Sequence, residues 1–122
     1  MTHNYCKIAI DARMSSHTGI GRYIRELLLA LSKINNPYQF KLIGDALALK
    51  NFPDSFQKTA SSAAVYSFQE QWMIPCAAKS ANGLHVPHYN APLLWGKKLV
   101  VTVHDLIHLH FPRFLPSKSA YY

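Results

Sequence analysis

The hydrophobic positions of this chain fall into short apolar runs, several of them rich in β-branched residues and bounded by polar ones. Runs of this length and composition are typical of strands buried in a parallel sheet. They predict β-strands at residues 7–12, 39–43, 63–68, 84–86 and 99–103.

Two longer stretches between these runs are predicted to be helices. In residues 20–34 the apolar side chains recur with a 3.6-residue period and share one face. These side chains are Ile20, Ile24, Leu27, Leu28 and Leu31. Pro37 follows soon after, and a proline cannot continue the hydrogen-bond ladder of a helix. Residues 69–79 predict a second helix, which Pro75 kinks or shortens.

The order of these elements predicts an α/β fold built on a doubly wound parallel sheet with right-handed crossovers. Residues 1–122 are enough for one domain with its own core. Residues 46–49 are a candidate short helix, whereas residues 104–116 have no helical period. Residues 117–122 resemble the cap and first turn of a further helix. We therefore expect the chain to be the front part of a longer protein, truncated before its last helices.

Hydrophobic residues make up 49% of the chain, which indicates a globular protein and excludes a disordered one. No apolar run approaches the ~20 residues that span a bilayer. Residues 1–7 lack the order of a signal peptide, so the expected location is the cytoplasm. Cys6 and Cys76 are too few for a disulfide framework, and their apolar surroundings predict buried thiols.

The formal net charge of the chain is +7. A basic surface attracts nucleic acid, anionic lipid or phosphorylated substrates. The charge is dispersed, however, and Lys97-Lys98 is the only adjacent basic pair. A generally solvated surface and a specific anionic partner therefore both stay open.

A glycine turn follows the first predicted strand and opens the first predicted helix. Gly19 and Gly21 let backbone N–H groups turn toward an anion, and the helix N-terminus adds donors and partial positive charge. Arg22 lies beside the turn, so the segment suits a diphosphate. The third glycine of the dinucleotide fingerprint is replaced by Ile24. A helix-initiating turn without a ligand is the alternative.

Polar side chains also follow the last two predicted strands, at the edge where parallel sheets bind ligands. His104 and Asp105 end the last apolar run. A histidine of ordinary pKa exchanges a proton near neutral pH or binds a hydroxyl, and an adjacent carboxylate can orient it. His88 and Asn90 follow the preceding strand and would share the same rim. A purely structural role is the alternative for each of these residues.

Metal ligation is a further interpretation of the histidine-rich end of the chain. His108 and His110 lie close behind His104 and Asp105. Paired histidines bind a metal when a regular helix aligns them. This segment shows no helical period, so no metal site is predicted.

Five blocks of residues follow one another along nearly the entire chain. They are Ile8-Ala-Ile-Asp-Ala-Arg13, Thr18-Gly-Ile-Gly-Arg-Tyr-Ile24, Glu70-Gln71, His85-Val-Pro-His-Tyr-Asn-Ala-Pro92, and Val101-Thr-Val-His-Asp-Leu-Ile-His108 with Phe111-Pro112. In order and spacing they resemble the N-terminal half of family 4 glycosyltransferases. The nearest likeness is to bacterial mannosyltransferase-like members that assemble cell-surface polysaccharide.

The resemblance implies the GT-B architecture, in which two Rossmann-like domains face a cleft. This chain would be the acceptor-side N-terminal domain, and the donor-binding C-terminal domain is absent from it. The implied activity is retaining transfer of a hexose, mannose being one candidate, from a nucleotide-sugar to a glycan or lipid-linked acceptor. No metal or other cofactor is expected.

The resemblance also implies roles for individual residues. Gly19, Gly21 and Arg22 would approach the donor diphosphate. His104 would face the reacting sugar with support from Asp105, and two acceptor-side residues would lie nearby, namely His88 and Asn90. Because the donor-binding half is absent, we expect no transferase turnover from this chain alone.

Two other interpretations of the chain stay open. It is either a non-catalytic basic α/β module that binds nucleic acid or a protein partner, or an inactive transferase remnant. No motif that reads DNA or RNA is present, which makes nucleic acid the weaker partner. The basic surface also raises peripheral contact with anionic membrane at its inner face as a hypothesis.

Overall fold

The structure is a computed structural model that describes residues 5–111, except for the side chains of His108 and Leu109. The predicted helix start at residues 117–122 lies outside the described residues. The strands are β1 (Cys6–Asp11), β2 (Tyr38–Gly44), β3 (Gln57–Ala60), β4 (Gly83–Val86) and β5 (Lys98–Val101). The helices are α1 (Gly19–Lys33), α2 (Ala46–Leu49), α3 (Glu70–Ala78) and α4 (Ile107–His110).

The five strands form one sheet in the order β3-β2-β1-β4-β5, and every pair of neighbours is parallel. The chain builds outward from β1 to β3 and then crosses back to place β4 on the other side of β1. The doubly wound α/β prediction is confirmed, and the sheet is Rossmann-like.

The core lies in two layers, because successive side chains of a strand point to opposite faces. On one face Ile10 packs with Ile24 and other residues of α1 and α2. On the other face Ala9 packs with Ile74 and Ala78 of α3. Each fully buried Ile or Leu contributes roughly 1.5–3 kcal/mol of stabilisation. The two layers hold α1 and α3 against opposite sides of β1.

The apolar run at residues 63–68 is not a strand, so that prediction is wrong. The third strand lies earlier and is polar, with the sequence Gln-Lys-Thr-Ala. The carbonyl groups of Ala63 and Ala64 accept hydrogen bonds from the side chain of Arg13 instead of joining a ladder. Tyr66 has φ 64°, the left-handed region that strands do not adopt.

Three further expectations differ from the structure. β5 is an edge strand with exposed Leu99 and Val100, and neither core cluster includes its residues. Both cysteines are exposed, because Cys6 begins β1 at the edge of the sheet where the strands start and Cys76 lies on the outer side of α3. The short α4 forms without a helical period, and the Asp105 carboxylate accepts the Ile107 N–H at its start.

The two glycines of the turn differ in their surroundings. A Cβ at Gly21 would lie 2.8 Å from the carbonyl oxygen of Ser15 and 2.9 Å from that of Met14. A Cβ at Gly19 would meet nothing within 4 Å. Gly21 is therefore required by the close approach of the preceding loop, whereas Gly19 borders open space.

This contrast predicts opposite effects of the same substitution. Gly21→Ala should lower the free energy of unfolding by about 1–3 kcal/mol, because backbone must shift to admit the methyl group. Gly19→Ala should leave stability unchanged or raise it slightly, because alanine favours a helix more than glycine does. Urea denaturation of the two variants measures both. Equal destabilisation would contradict the loop packing described.

Candidate functional site

The carboxyl ends of the strands lie along one edge of the sheet, since all of them are parallel. A crevice is expected at the point where the strand order reverses, between β1 and β4. The segments after β1, β4 and β5, together with the first turn of α3, supply the polar side chains at this edge.

Arg13 lies at the centre of this edge, and its side chain is buried although it follows β1 by only two residues. Its Nε and Nη2 donate to the two carboxylate oxygens of Asp11 at 2.9 and 2.6 Å. Nη2 also donates to Oε2 of Glu70 at 2.8 Å. Nη1 donates to the carbonyl oxygen of Ala63 at 3.2 Å. One guanidinium thus joins β1, the loop before α3, and α3 itself.

Asn90 and His88 close these contacts into a ring. The Asn90 side-chain amide donates to Oε1 of Glu70. Its backbone N–H donates to Nδ1 of His88 at 3.3 Å, and Nε2 of His88 lies 3.3 Å from Oδ2 of Asp11. We call Asp11, Arg13, Glu70, His88 and Asn90 the buried polar ring.

The tautomer of His88 follows from its contacts. Nδ1 accepts an N–H, so the proton of the neutral ring is on Nε2 and faces Asp11. Within residues 5–111, Nε2 has no aligned hydrogen-bond acceptor. The side chain is fully enclosed. His88 therefore lies behind the rim, and its side chain has no surface open to a ligand in this structure.

The electrostatics of the ring centre on the Asp11 carboxylate. Burial raises its pKa, whereas the facing His88 ring and the bidentate Arg13 guanidinium lower it. The net result is a pKa of about 2. Burial lowers the pKa of Arg13, but the Asp11 and Glu70 carboxylates raise it, and the net shift is upward. Asp11 is therefore charged at neutral pH and stays paired with Arg13.

The N-terminus of α1 has no side-chain cap. Thr18 makes no capping hydrogen bond, and the first turn contains no acidic residue. The first N–H groups of a helix lack partners within it and carry partial positive charge. Arg22 is exposed on this turn. Arg25 holds the loop before this helix, because its Nη1 donates to the carbonyl oxygen of Ser15 at 2.5 Å.

His104 lies on the same rim as this helix terminus. Its Nε2 is 2.8 Å from the carbonyl oxygen of Pro87, which can only accept, so Nε2 carries the proton. Its ring meets the Tyr23 ring edge to face at 4.9 Å between centroids. Tyr23 belongs to the second turn of α1. The glycine turn and His104 are therefore neighbours, as the sequence predicts from parallel strand ends.

A second set of hydrogen bonds lies below His104. The Thr102 hydroxyl shares hydrogen bonds with Nε2 of His85 at 2.9 Å and with the Tyr23 hydroxyl at 3.4 Å. Burial, and then the neighbouring His88, lower the pKa of His85. These contacts tie α1 to β4 and β5 beneath the rim.

The structure brings some of the predicted site residues together and separates others. Gly19 and His104 share the rim, whereas His88 and Asn90 belong to the buried polar ring. Asp105 does not contact His104 in the described part of the chain; its carboxylate caps α4. The support predicted for His104 comes instead from the Pro87 carbonyl and Tyr23.

Sequence reasoning did not identify the members of the ring that carry its charge. Asp11, Arg13 and Glu70 were named only as residues of resemblance blocks. Asp11 and Arg13 nevertheless interrupt an apolar run, which offers a signal. Arg13 and Glu70 are 57 positions apart along the chain, and no local pattern reveals such a pair.

Across residues 5–111, no helix is long and apolar enough to cross a membrane. The same residues contain no group of three or more His, Cys, Asp or Glu side chains that could hold a metal ion. Comparison of the chain with protein-family models, curated proteins and solved structures gives no match.

Acid should unfold the protein through Asp11. Its pKa in the folded state, about 2, is below the ordinary value of 3.8, so its stabilising contribution is complete above about pH 5. That contribution, on the order of 2 kcal/mol, is lost as the pH falls toward 2. Urea denaturation at several pH values should show a weaker acid dependence for Asp11→Asn than for the wild type. Asp54→Asn, at an exposed surface pair, is the control and should retain the wild-type dependence.

Removal of Arg13 should be far more harmful than removal of an exposed arginine. Arg13→Leu leaves the Asp11 and Glu70 carboxylates buried without their cation and should cost about 3–5 kcal/mol. Arg22→Leu alters an exposed position and should change stability by less than about 0.5 kcal/mol. Thermal unfolding of both variants decides this. Similar melting temperatures would show that the ring does not hold the fold together.

Proposed function

We propose that this chain is the acceptor-side domain of a retaining glycosyltransferase that moves a hexose from a nucleotide-sugar to a glycan or lipid-linked acceptor. One observation carries the proposal. The uncapped N-terminus of α1 and the proton-bearing ring of His104 lie on one rim, in contact through Tyr23. The resemblance of the five sequence blocks gives this rim its proposed substrate.

The proposed chemistry follows from the charges that develop as the sugar is transferred. Departure of a sugar from its diphosphate develops negative charge on the diphosphate and an oxocarbenium-like centre on the sugar. The free N–H groups at Gly19 and the exposed Arg22 would stabilise the diphosphate. Because Nε2 of His104 is bound to Pro87, neutral His104 offers Nδ1 as an acceptor for a sugar hydroxyl.

The buried polar ring would support this rim from behind. Asn90 is half-buried and anchored on Glu70, so it would present the loop after β4 to the acceptor in a fixed position. His88 would act as a positioning residue through the Asn90 backbone. Asp105 would hold the start of α4 and thereby the segment that carries His104.

Binding of a nucleotide-sugar tests the proposal directly. GDP-mannose and UDP-glucose, titrated into the full chain by calorimetry, should bind more weakly to Gly19→Ala and to His104→Ala than to the wild type, by at least fivefold. Gly96→Ala is the matched control, since a Cβ there also meets nothing within 4 Å. It should leave affinity unchanged.

Two results would overturn the proposal. One is the absence of nucleotide-sugar binding at any accessible concentration. The other is binding that Gly19→Ala and Gly96→Ala leave equally intact. Tight, salt-dependent binding of unrelated oligonucleotides in their place would favour the basic binding module.

Turnover is a separate prediction. We expect no sugar transfer or donor hydrolysis by residues 1–122 above the level of His104→Ala, because their five blocks resemble only the acceptor-side half of the family. Release of nucleoside diphosphate, followed by a coupled assay, measures this. Activity that His104→Ala abolishes would show that the chain suffices for catalysis.

A further inference from the structure

Four large apolar side chains protrude from the α3 side of the sheet. Phe68 and Leu93 are each 88% exposed, Leu94 is 65% exposed and Trp72 is 52% exposed. Single exposed apolar residues are common on protein surfaces, but a group in one place indicates an interaction site. We call these four residues the apolar tips.

Local hydrogen bonds hold the apolar tips together. Leu93 and Leu94 are the central residues of a turn closed by the Trp95 N–H on the Pro92 carbonyl oxygen. The Leu93 N–H donates to the side chain of Gln71 at 2.8 Å. Gln71 in turn follows Phe68 and donates its own N–H to the Phe68 carbonyl oxygen. The turn is therefore fixed against the first turn of α3, where Trp72 lies.

Lysines gather at the other end of the same side. Lys97 donates to the carbonyl oxygens of Lys79 and Ala81, and Lys41 donates to the Ser80 hydroxyl. Burial, and then the charges of Lys7 and Lys79, lower the pKa of Lys41. The members of this basic cluster are Lys7, Lys41, Lys79 and Lys97.

No exposed carboxylate interrupts this side of the molecule. Between residues 55 and 104 the only acidic residue is Glu70, which is buried and paired with Arg13. The nine residues of α3 separate the apolar tips from the basic cluster by roughly 13 Å. Apolar and basic groups therefore share one side without a compensating negative charge.

We propose that the α3 side docks on the surface of a bilayer rich in anionic lipid. The apolar tips would enter the headgroup boundary, where tryptophan is favoured, and the lysines would meet lipid phosphates. Leucines at the point of a turn suit an acyl environment better than nucleic acid, where planar rings stack on bases. The proposal is independent of the proposed function, because none of these residues lies in the crevice.

Intrinsic fluorescence provides the test, since the chain contains only two tryptophans and one of them is Trp72. Vesicles of equal parts phosphatidylglycerol and phosphatidylcholine should shift the emission of the full chain to shorter wavelength. Vesicles of phosphatidylcholine alone should bind at least tenfold more weakly. Trp72→Phe should lose most of the shift while sedimenting with anionic vesicles to at least half the wild-type extent.

Matched variants separate the two contributions. Leu93→Ser with Leu94→Ser should lower the partition coefficient at least tenfold, whereas Leu47→Ser should not change it. Leu47 is 71% exposed on α2, on the other face of the sheet. Lys41→Gln with Lys79→Gln should lower it at least fivefold, and Lys33→Gln with Lys50→Gln by less than twofold.

Three outcomes would overturn the proposal. The first is no binding of the folded wild type to anionic vesicles, with folding checked by circular dichroism. The second is binding that the Leu93 and Leu94 substitutions leave unchanged. The third is self-association that those substitutions abolish in the absence of vesicle binding, which would assign the apolar tips to a second copy of this chain.

Discussion

The burial of one guanidinium group, that of Arg13, constrains much of this structure. Arg13 is buried between the Asp11 and Glu70 carboxylates, which are themselves buried. An unpaired charge in that position costs several kcal/mol, so the three groups are stable only together. Because they come from β1 and from α3, the pairing sets where α3 lies against the sheet. Arg13 also donates to the carbonyl oxygens of Ala63 and Ala64 in the loop before α3, and this loop forms no strand.

The rim and the buried polar ring have different tasks. The rim, with Gly19 and His104, is exposed and suited to contact a ligand, whereas the ring lies behind it and holds the loops at this edge of the sheet. Side chains placed by packed neighbours keep a binding geometry more closely than side chains on loops alone. The segment after β4 links them, since the Pro87 carbonyl oxygen accepts from His104 while the Asn90 amide donates to Glu70.

The local spacing of apolar residues was enough to predict much of the fold. The strands at 7–12, 39–43 and 84–86 and both long helices are confirmed within one or two residues, because their apolar spacing is set by the core they face. β3 was missed because an edge strand needs no apolar run. The rim could be predicted because the carboxyl ends of parallel strands lie at one edge. The partners of Arg13 could not be predicted, because an ion pair between residues far apart in the sequence produces no local pattern.

At β5, charged side chains on the surface can protect the fold as well as bind a partner. Within the described residues, one side of this strand has no neighbour, so its backbone groups are open to strand addition. Lys97 precedes the strand and Lys98 begins it, and like charges on two approaching copies repel each other. Neutralising them, by salt or by an anionic surface, would remove that protection. The solubility of this chain is thereby coupled to the ionic strength of its surroundings.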